Sequence, residues 1–412
     1  MLLRMGWRNL WRHSRRTLIN LGSVAFGVWL TITAVGLGDY SYLRTINDSA
    51  RMGFGHVTIQ PEGYQDSPSL QKRIQDSKKT LTRVLAIEGV DHGVVRIMGQ
   101  AMLASANKTV GGAFIAVDPK GEGPEVNLFI RALQKGEMFS GTEGRQAVIG
   151  QLMAERLNLD LGKKLVLTAV DGNGEVVSEL FRVSGIFKTG VTEVDGSTLL
   201  VPIDRMRKAL GYQADEATMV SAYVEDYRKS PEVRDLVESV VAPKGAEVAT
   251  WRTTQSELAS LSDVDRGMNA LFLLLLGILI AAGILNTSLM SVLERKQEFG
   301  MMMAVGMRPA QLAGLVLAES FLIGALGLLI GALLCAPWIY YLLEVGIDLS
   351  SMMGEGYSAG SVLIDPILHI ELYWQTVAIT TVGLFVLSMG AALYPALSAA
   401  RIPPIEVIKK VT

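Results

Sequence analysis

Four long apolar stretches constrain what this chain can fold into. They cover residues 18–37, 268–293, 310–343 and 374–397. A helix needs about 20 residues to cross a hydrocarbon layer about 30 Å thick, and each stretch reaches that length. Half of the 412 residues are hydrophobic (50%), yet they gather at the two ends of the sequence. The middle, 39–267, has the composition of an ordinary soluble domain. A cleaved signal peptide is the competing reading of 18–37, but the stretch is long for a signal core. The expected layout is 1–16 as a surface helix, 17–38 as the first span and 39–267 as an inserted domain. A second span at 268–293, a loop at 294–309 and a third span at 310–343 follow. The chain then closes with a loop at 344–373, a fourth span at 374–398 and a tail at 399–412.

Charge placement sets the expected orientation, because Lys and Arg stay on the cytoplasmic side. Arg4, Arg8, Arg12, Arg15 and Arg16 precede the first span without an acid among them. Arg295, Lys296 and Arg308 lie between the second and third spans, and Arg401, Lys409 and Lys410 follow the fourth. The stretch 344–371 carries Glu344, Asp348, Glu355, Asp365 and Glu371 and neither Lys nor Arg. Both termini and the 294–309 loop are therefore expected in the cytoplasm, with 39–267 and the 344–371 loop outside. In the first segment Leu3, Trp7, Leu10 and Trp11 recur at helical spacing opposite Arg4, Arg8 and Arg12. That pattern predicts a helix lying in the lipid interface, with Trp7, Arg8, Trp11 and Arg12 as its anchors.

The 39–267 region mixes strand and helix signals, which makes it an α+β domain. Strands are expected at 56–60, 112–117, 146–150, 164–170, 176–186, 219–224 and 247–251, and 199–202 leads into a helix. Helices are expected at 71–87, 151–157, 203–210 and 231–241. Asp171-Gly172-Asn173-Gly174 is a hairpin turn between two of the strands. The fold class is thus an α-helical membrane protein with four transmembrane helices and a large α+β extracytoplasmic domain between helices 1 and 2.

Chemistry-bearing patterns are absent. The sequence has no Gly-x-Ser-x-Gly, no His-Glu-x-x-His and no phosphate-binding Gly-rich loop ending in Lys-Ser/Thr. The only cysteine, Cys335, lies in an apolar run, and the four histidines lack ligand spacing. Glu193 and Asp195 sit together in an expected turn and read as surface acids. No catalytic residue, metal or cofactor is expected in this chain, and no nucleic-acid partner.

The 294–309 loop reads Glu294-Arg295-Lys296-Gln297-Glu298-Phe299-Gly300-Met301-Met302-Met303-Ala304-Val305-Gly306-Met307-Arg308-Pro309. A helix over 294–305 ending at Gly306 is expected, with Met301, Met302 and Val305 needing an apolar groove. This segment resembles the hallmark of the FtsX/MacB-type permeases of ABC transporters, with Phe299 where an Ile is usual. Tyr394-Pro395-Ala396-Leu397, Ala400-Arg401 and Pro404-Ile405-Glu406-Val407-Ile408 resemble that family's ending. The order of one span, a large external domain and three spans is similar too. Within the domain, Ala116-Val117-Asp118-Pro119, 148–154 and Gly185-Ile186-Phe187 are most similar to the LolC/LolE lipoprotein-releasing permeases.

The resemblance implies a pair of membrane subunits, a second copy or a paralogue, working with a cytoplasmic ABC ATPase dimer that binds ATP and Mg. It implies lipoprotein cargo drawn from membrane lipid and passed to a periplasmic carrier. MacB-like export of a small molecule, peptide or lipid, or FtsX-like signalling to a periplasmic hydrolase, are the alternatives. The loop helix would couple to the ATPase through Arg295 and Glu298, with Met302 as its apolar anchor. Glu319, an acid in the third stretch, is a packing or gating candidate. Gly324, Gly327 and Gly331 allow close helix approach, and Asn286, with Thr287 and Ser288, is expected to hydrogen-bond between helices.

Overall fold

The computed structural model describes residues 2–12, 14–240, 245–348, 358–359, 362–363 and 367–402. The chain divides into two compact units, 42–262 with 349–366, and the remainder.

The first unit is helical. Helix α1 is Leu2–Arg12, and α2 (Ser14–Arg51) begins here and runs without a break past the unit boundary. Among the described residues, four helices are long and apolar enough to cross a membrane: α2, α10 (Ser256–Glu294), α12 (Pro309–Glu344) and α13 (Trp374–Ala400). A single short helix, α11 (Lys296–Ala304), separates α10 from α12. Both α2 and α10 extend well beyond the apolar runs that the sequence marks out.

Glycines set the helix spacing. A methyl group on Gly327 would come 2.6 Å from Val24 of α2, and one on Gly331 would come 3.0 Å from the Ala25 carbonyl. Gly324 faces Phe385 of α13, where a methyl would lie 3.2 Å away. Lipid offers no hydrophobic drive between helices, so close backbone approach is how such helices gain contact. Asn286 differs from its expected place, because its side chain is exposed. The inward face of α10 runs Ile284, Ser288, Val292, and at 100° per residue Asn286 falls opposite it. Thr287 bonds within its own helix, to the Gly283 carbonyl at 2.7 Å.

The second unit is built on strands. Their order along the chain is β1 (Val57–Pro61), β2 (Val90–Ala104), β3 (Thr109–Val117), β4 (Leu133–Gly136), β5 (Gln146–Gly150), β6 (Lys164–Val170), β7 (Val176–Phe187), β8 (Thr198–Pro202), β9 (Met219–Val224) and β10 (Ala246–Thr250). The helices are α3 (Ser77–Val84), α4 (Leu128–Arg131), α5 (Gln151–Leu157), α6 (Thr192–Ser197), α7 (Ile203–Ala209), α8 (Ser230–Val240) and α9 (Trp251–Thr254). Strands β2, β3, β8, β5, β7 and β6 pair in that order, and β6 returns to β2, closing a barrel. Closure leaves no open edge and encloses Leu103, Phe114, Ile149, Leu165, Phe181 and Leu199, all fully buried. The first half of β2 instead pairs with β9, which continues through β1 to β10, and α3 and α8 help bury that smaller sheet.

Two expectations change here. Residues 90–104 carry no strand expectation, yet they form the longest strand, shared by both sheets. The helix expected over 71–87 shortens to α3. Ile74 is bridged to Ala217, and Asp76 takes a left-handed turn (φ 56°) before the helix begins. The helix start is then held from far away in sequence, by Asp215 accepting from the Lys78 amide at 2.7 Å.

The far end of α2 is fixed into this unit by two polar ties. Arg96 is buried, pairs with Glu122 at 2.6 Å, and donates to the Gly53 carbonyl just beyond the helix. His56 is 3% exposed. Its Nε2 faces Asn47 Oδ1 of α2 at 2.9 Å, and its Nδ1 accepts from the Val224 amide at 3.1 Å. Burial, helped by the Arg51 charge, pushes the His56 pKa down to about 4. A charged imidazole would lose the Val224 bond. The folded pKa therefore lies below the unfolded value of about 6.5, and the stability from this group is complete above about pH 6.5. It is lost as the pH falls from there towards 4, to a total of about 3 kcal/mol. Thermal unfolding of the full-length protein across this range is expected to show the loss, and His56→Gln is expected to flatten it. Equal slopes in both proteins would contradict the assignment.

Candidate coupling site

The loop between α10 and α12 is the most constrained polar feature of the helical unit. Helix α10 ends at Glu294, and Arg295 takes a non-helical backbone (φ −91°, ψ 11°) that turns the chain into α11. Helix α11 ends at Ala304, and just beyond it Gly306 takes φ +108°, a conformation that suits glycine. There the Met307 amide reaches back to the Met302 carbonyl and the Gly306 amide to Met303, each at 3.0 Å. These two bonds satisfy carbonyls that the helix end would leave open. Pro309 then opens α12, with Gln311 accepting from the Arg308 amide at 3.0 Å.

Arg295 sits at the centre of this turn. Its side chain is only 7% exposed. One guanidinium nitrogen donates to both oxygens of Glu319 on α12, at 3.1 and 2.9 Å. The Nε donates to Glu298 at 3.3 Å, and the group lies 4.8 Å from the Phe299 ring centroid. Phe299 itself is fully buried among Val292, Leu312, Val316, Ala396 and Ala399. The loop is thereby tied to α10, α12 and α13 together. Helix α1 packs on the same place, since a methyl on Gly6 would lie 3.5 Å from Glu319.

This arrangement redistributes the expected roles. Arg295 faces inward as a brace and is not on the outer surface of α11. Met302 is half-buried against the loop's own apolar cluster, so it too points away from any partner. Glu298 is partly exposed and shared with Arg295. The outward face of α11 carries Lys296, Gln297, Met301 and Ala304, followed by Val305 at 90% exposure. Phe299 and Gly300, which the sequence pattern marks as a motif, are the buried side of the same helix.

Other candidates fall into place more simply. Trp7 and Trp11 are exposed on α1 and meet edge to face, with centroids 6.1 Å apart. Arg8 is exposed as well, and the side chain of Arg12 lies outside the described residues. The tail motif at 404–408, with Lys409 and Lys410, also lies outside them. Asp195 is buried in α6 and accepts from the Thr189 and Gly190 amides at 2.8 and 3.0 Å, which makes it a loop tie.

A four-span membrane unit with an inserted α+β domain and a braced surface helix between spans two and three defines a transporter permease. Residues 17–240 match the MacB-like periplasmic core domain family, and residues 270–404 match the FtsX-like permease C-terminal family. The chain belongs to the FtsX/MacB-type ABC transporter permeases, inner-membrane proteins whose members work with a cytoplasmic ABC ATPase. The lipoprotein-releasing system transmembrane protein LolC of Xylella fastidiosa strain 9a5c is 22% identical, over 95% of this chain and 93% of that protein. An uncharacterized ABC transporter permease of Methanocaldococcus jannaschii is 22% identical over 99% and 97%. The macrolide export ATP-binding/permease protein MacB 2 of Aeromonas hydrophila is 22% identical over 99% of this chain and 60% of its own length.

Removing the Glu319 charge leaves the buried guanidinium with Glu298, at 3.3 Å, as its remaining carboxylate partner among the described residues. Glu319→Gln is expected to cost about 3 kcal/mol, and Arg295→Met with Glu319→Leu to recover most of it. Thermal unfolding of the purified full-length variants checks both, and an unchanged midpoint in Glu319→Gln would count against the brace.

Proposed function

We propose that this chain is the membrane subunit of an ATP-driven machine that lifts lipoproteins out of the inner membrane for a periplasmic carrier. The observation that carries the reading is its similarity to LolC proteins along nearly the whole chain. The Lys and Arg distribution supports an orientation with both termini and the 294–309 loop in the cytoplasm and the α+β domain in the periplasm. ATP and Mg²⁺ bind the partner ATPase, and a second permease copy or paralogue completes the membrane pair.

The energetics favour a motor over a binding site. Each buried CH₂ is worth about 0.8 kcal/mol, so three chains of about 16 carbons hold a lipoprotein in lipid with roughly 38 kcal/mol. Non-covalent sites saturate near about 20 kcal/mol. In this reading the ATPase grips the outward face of α11, and the Arg295–Glu319 brace passes its movement to α12. Helix α10 carries the movement towards the periplasm, since it is continuous from Glu294 back to Ser256. Export of another amphiphile is the second reading, favoured by the similarity to MacB proteins.

Two measurements test this. Met301→Glu combined with Val305→Glu is expected to abolish co-purification of the ATPase while leaving the unfolding temperature of the permease unchanged, because both residues are exposed. Depletion of the chain in its native cell is expected to strand lipoproteins in the inner-membrane fraction. Normal fractionation would remove the lipoprotein reading and leave export of another amphiphile.

A further inference from the structure

Helix α1 has an outward side that the coupling mechanism does not use. The first acid of the sequence is Asp39, so Arg4, Arg8, Arg12, Arg15 and Arg16 precede it without a counter-charge. The sequence pattern sets Trp7 and Trp11 opposite the arginines, but the structure exposes both kinds of residue together. Arg4, Trp7, Arg8 and Trp11 are all exposed, and at spacings of three and four they share one face of the helix. Gly6 and Leu10 are buried on the other side. Among the described residues, no acid or carbonyl engages the guanidinium of Arg4, Arg8 or Arg15.

This surface continues into a membrane span. Thr17 of α2 donates to the Leu10 carbonyl at 2.7 Å, which ties the start of the span to the end of α1. Leu18 and Ile19, exposed by 61% and 62%, follow at once. Guanidiniums with open donors, indole rings among them and aliphatic residues next to both match the layers of a phospholipid: phosphate, glycerol ester and acyl chain. The inner side of α1 meets the brace. A methyl on Gly6 would lie 3.5 Å from the Glu319 side chain and 3.5 Å from Leu322, so α1 rests on the residue that holds Arg295.

We propose that the outward side of α1 binds an anionic phospholipid headgroup, and that the bound lipid holds α1 against Glu319. The inference does not depend on what the permease carries, so it stands or falls apart from the lipoprotein reading. A zwitterionic headgroup brings its own cation to the phosphate, whereas an anionic headgroup leaves that charge for the arginines. Each basic residue near an anionic surface is worth about fivefold in binding.

The test uses the full-length protein in phosphatidylcholine vesicles that carry an equal minor fraction of dibrominated phosphatidylglycerol or dibrominated phosphatidylcholine. Bromine quenches only nearby indoles, and the share due to Trp7 and Trp11 is the difference from the Trp7→Phe, Trp11→Phe variant. That share is expected to be quenched more strongly by the brominated phosphatidylglycerol. Arg4→Gln with Arg8→Gln is expected to lower the affinity for it roughly 25-fold, about fivefold for each charge. Both positions are exposed, so the fold tolerates the change. Unbrominated phosphatidylglycerol is expected to raise the unfolding midpoint of the wild-type protein and not that of the double-Gln variant. Gly6→Leu, which pushes α1 off Glu319, is expected to keep the lipid preference and lose the rise in midpoint. Equal quenching by the two brominated lipids overturns the headgroup site. Quenching by neither also overturns it, since protein would then cover this face. A preference for phosphatidylglycerol without a rise in the midpoint overturns the hold on Glu319.

Discussion

A guanidinium inside an apolar cluster has to be paired, and the pairing of Arg295 with Glu319 organises the membrane half of this protein. The turn at Arg295 breaks what would otherwise be one helix running from α10 into α11. Glu319 lies nearly three turns into α12, so the ion pair fixes where α11 sits against the third span. Phe299 beneath the guanidinium and Ala396 and Ala399 behind it extend the same knot to α13. Once that inner side is committed, the opposite side of α11 is left with Met301 and Val305 in the open. The helix is locked on one face and open on the other, where Lys296 and Gln297 stand beside Met301 and Val305.

The periplasmic unit solves a comparable problem with different parts. The last part of α2, residues 42–51, must join a sheet of the same unit. Arg96 and His56 make the joint: one reaches the Gly53 carbonyl from β2, and the other links Asn47 to Val224 of β9. Glu122 neutralises the buried Arg96, and Tyr223 adds a third contact at 3.0 Å. Satisfied buried networks of this kind are rigid because any shift leaves a charge unpaired. Strand β2 then carries the joint onward, since one half belongs to the small sheet and the other to the closed barrel.

Much of the candidate site was legible before any coordinates. The acid Glu319 in an apolar run, the charged start of the loop and the glycine at 306 are local signals with local causes. The glycines at 324, 327 and 331 could be read as contact points because small residues at spacings of three and four share one helix face and let another helix approach. What failed was direction. Arg295 and Met302 were expected to face a partner, and both turn inward, because their orientation depends on Glu319 and Phe299 meeting across helices. Asn286 failed for the same reason, since the inward face of α10 is set by its neighbours. In the domain, β2 escaped notice because Gly93 and Gly99 interrupt its pattern and its two halves serve different sheets.

The sequence by itself determined the number of spans, the insertion of an α+β domain between the first two, and the family. Those follow from run length, charge placement and short motifs, each a property of neighbouring residues. Tertiary structure alone decided which side of α11 is buried, that six strands close into a barrel, and that the α2 and α10 helices extend past their apolar runs. These depend on contacts between residues distant in the chain, such as Arg295 with Glu319, Arg96 with Glu122 and Met102 with Thr168. No local pattern encodes which distant partner completes a buried charge or an open strand edge.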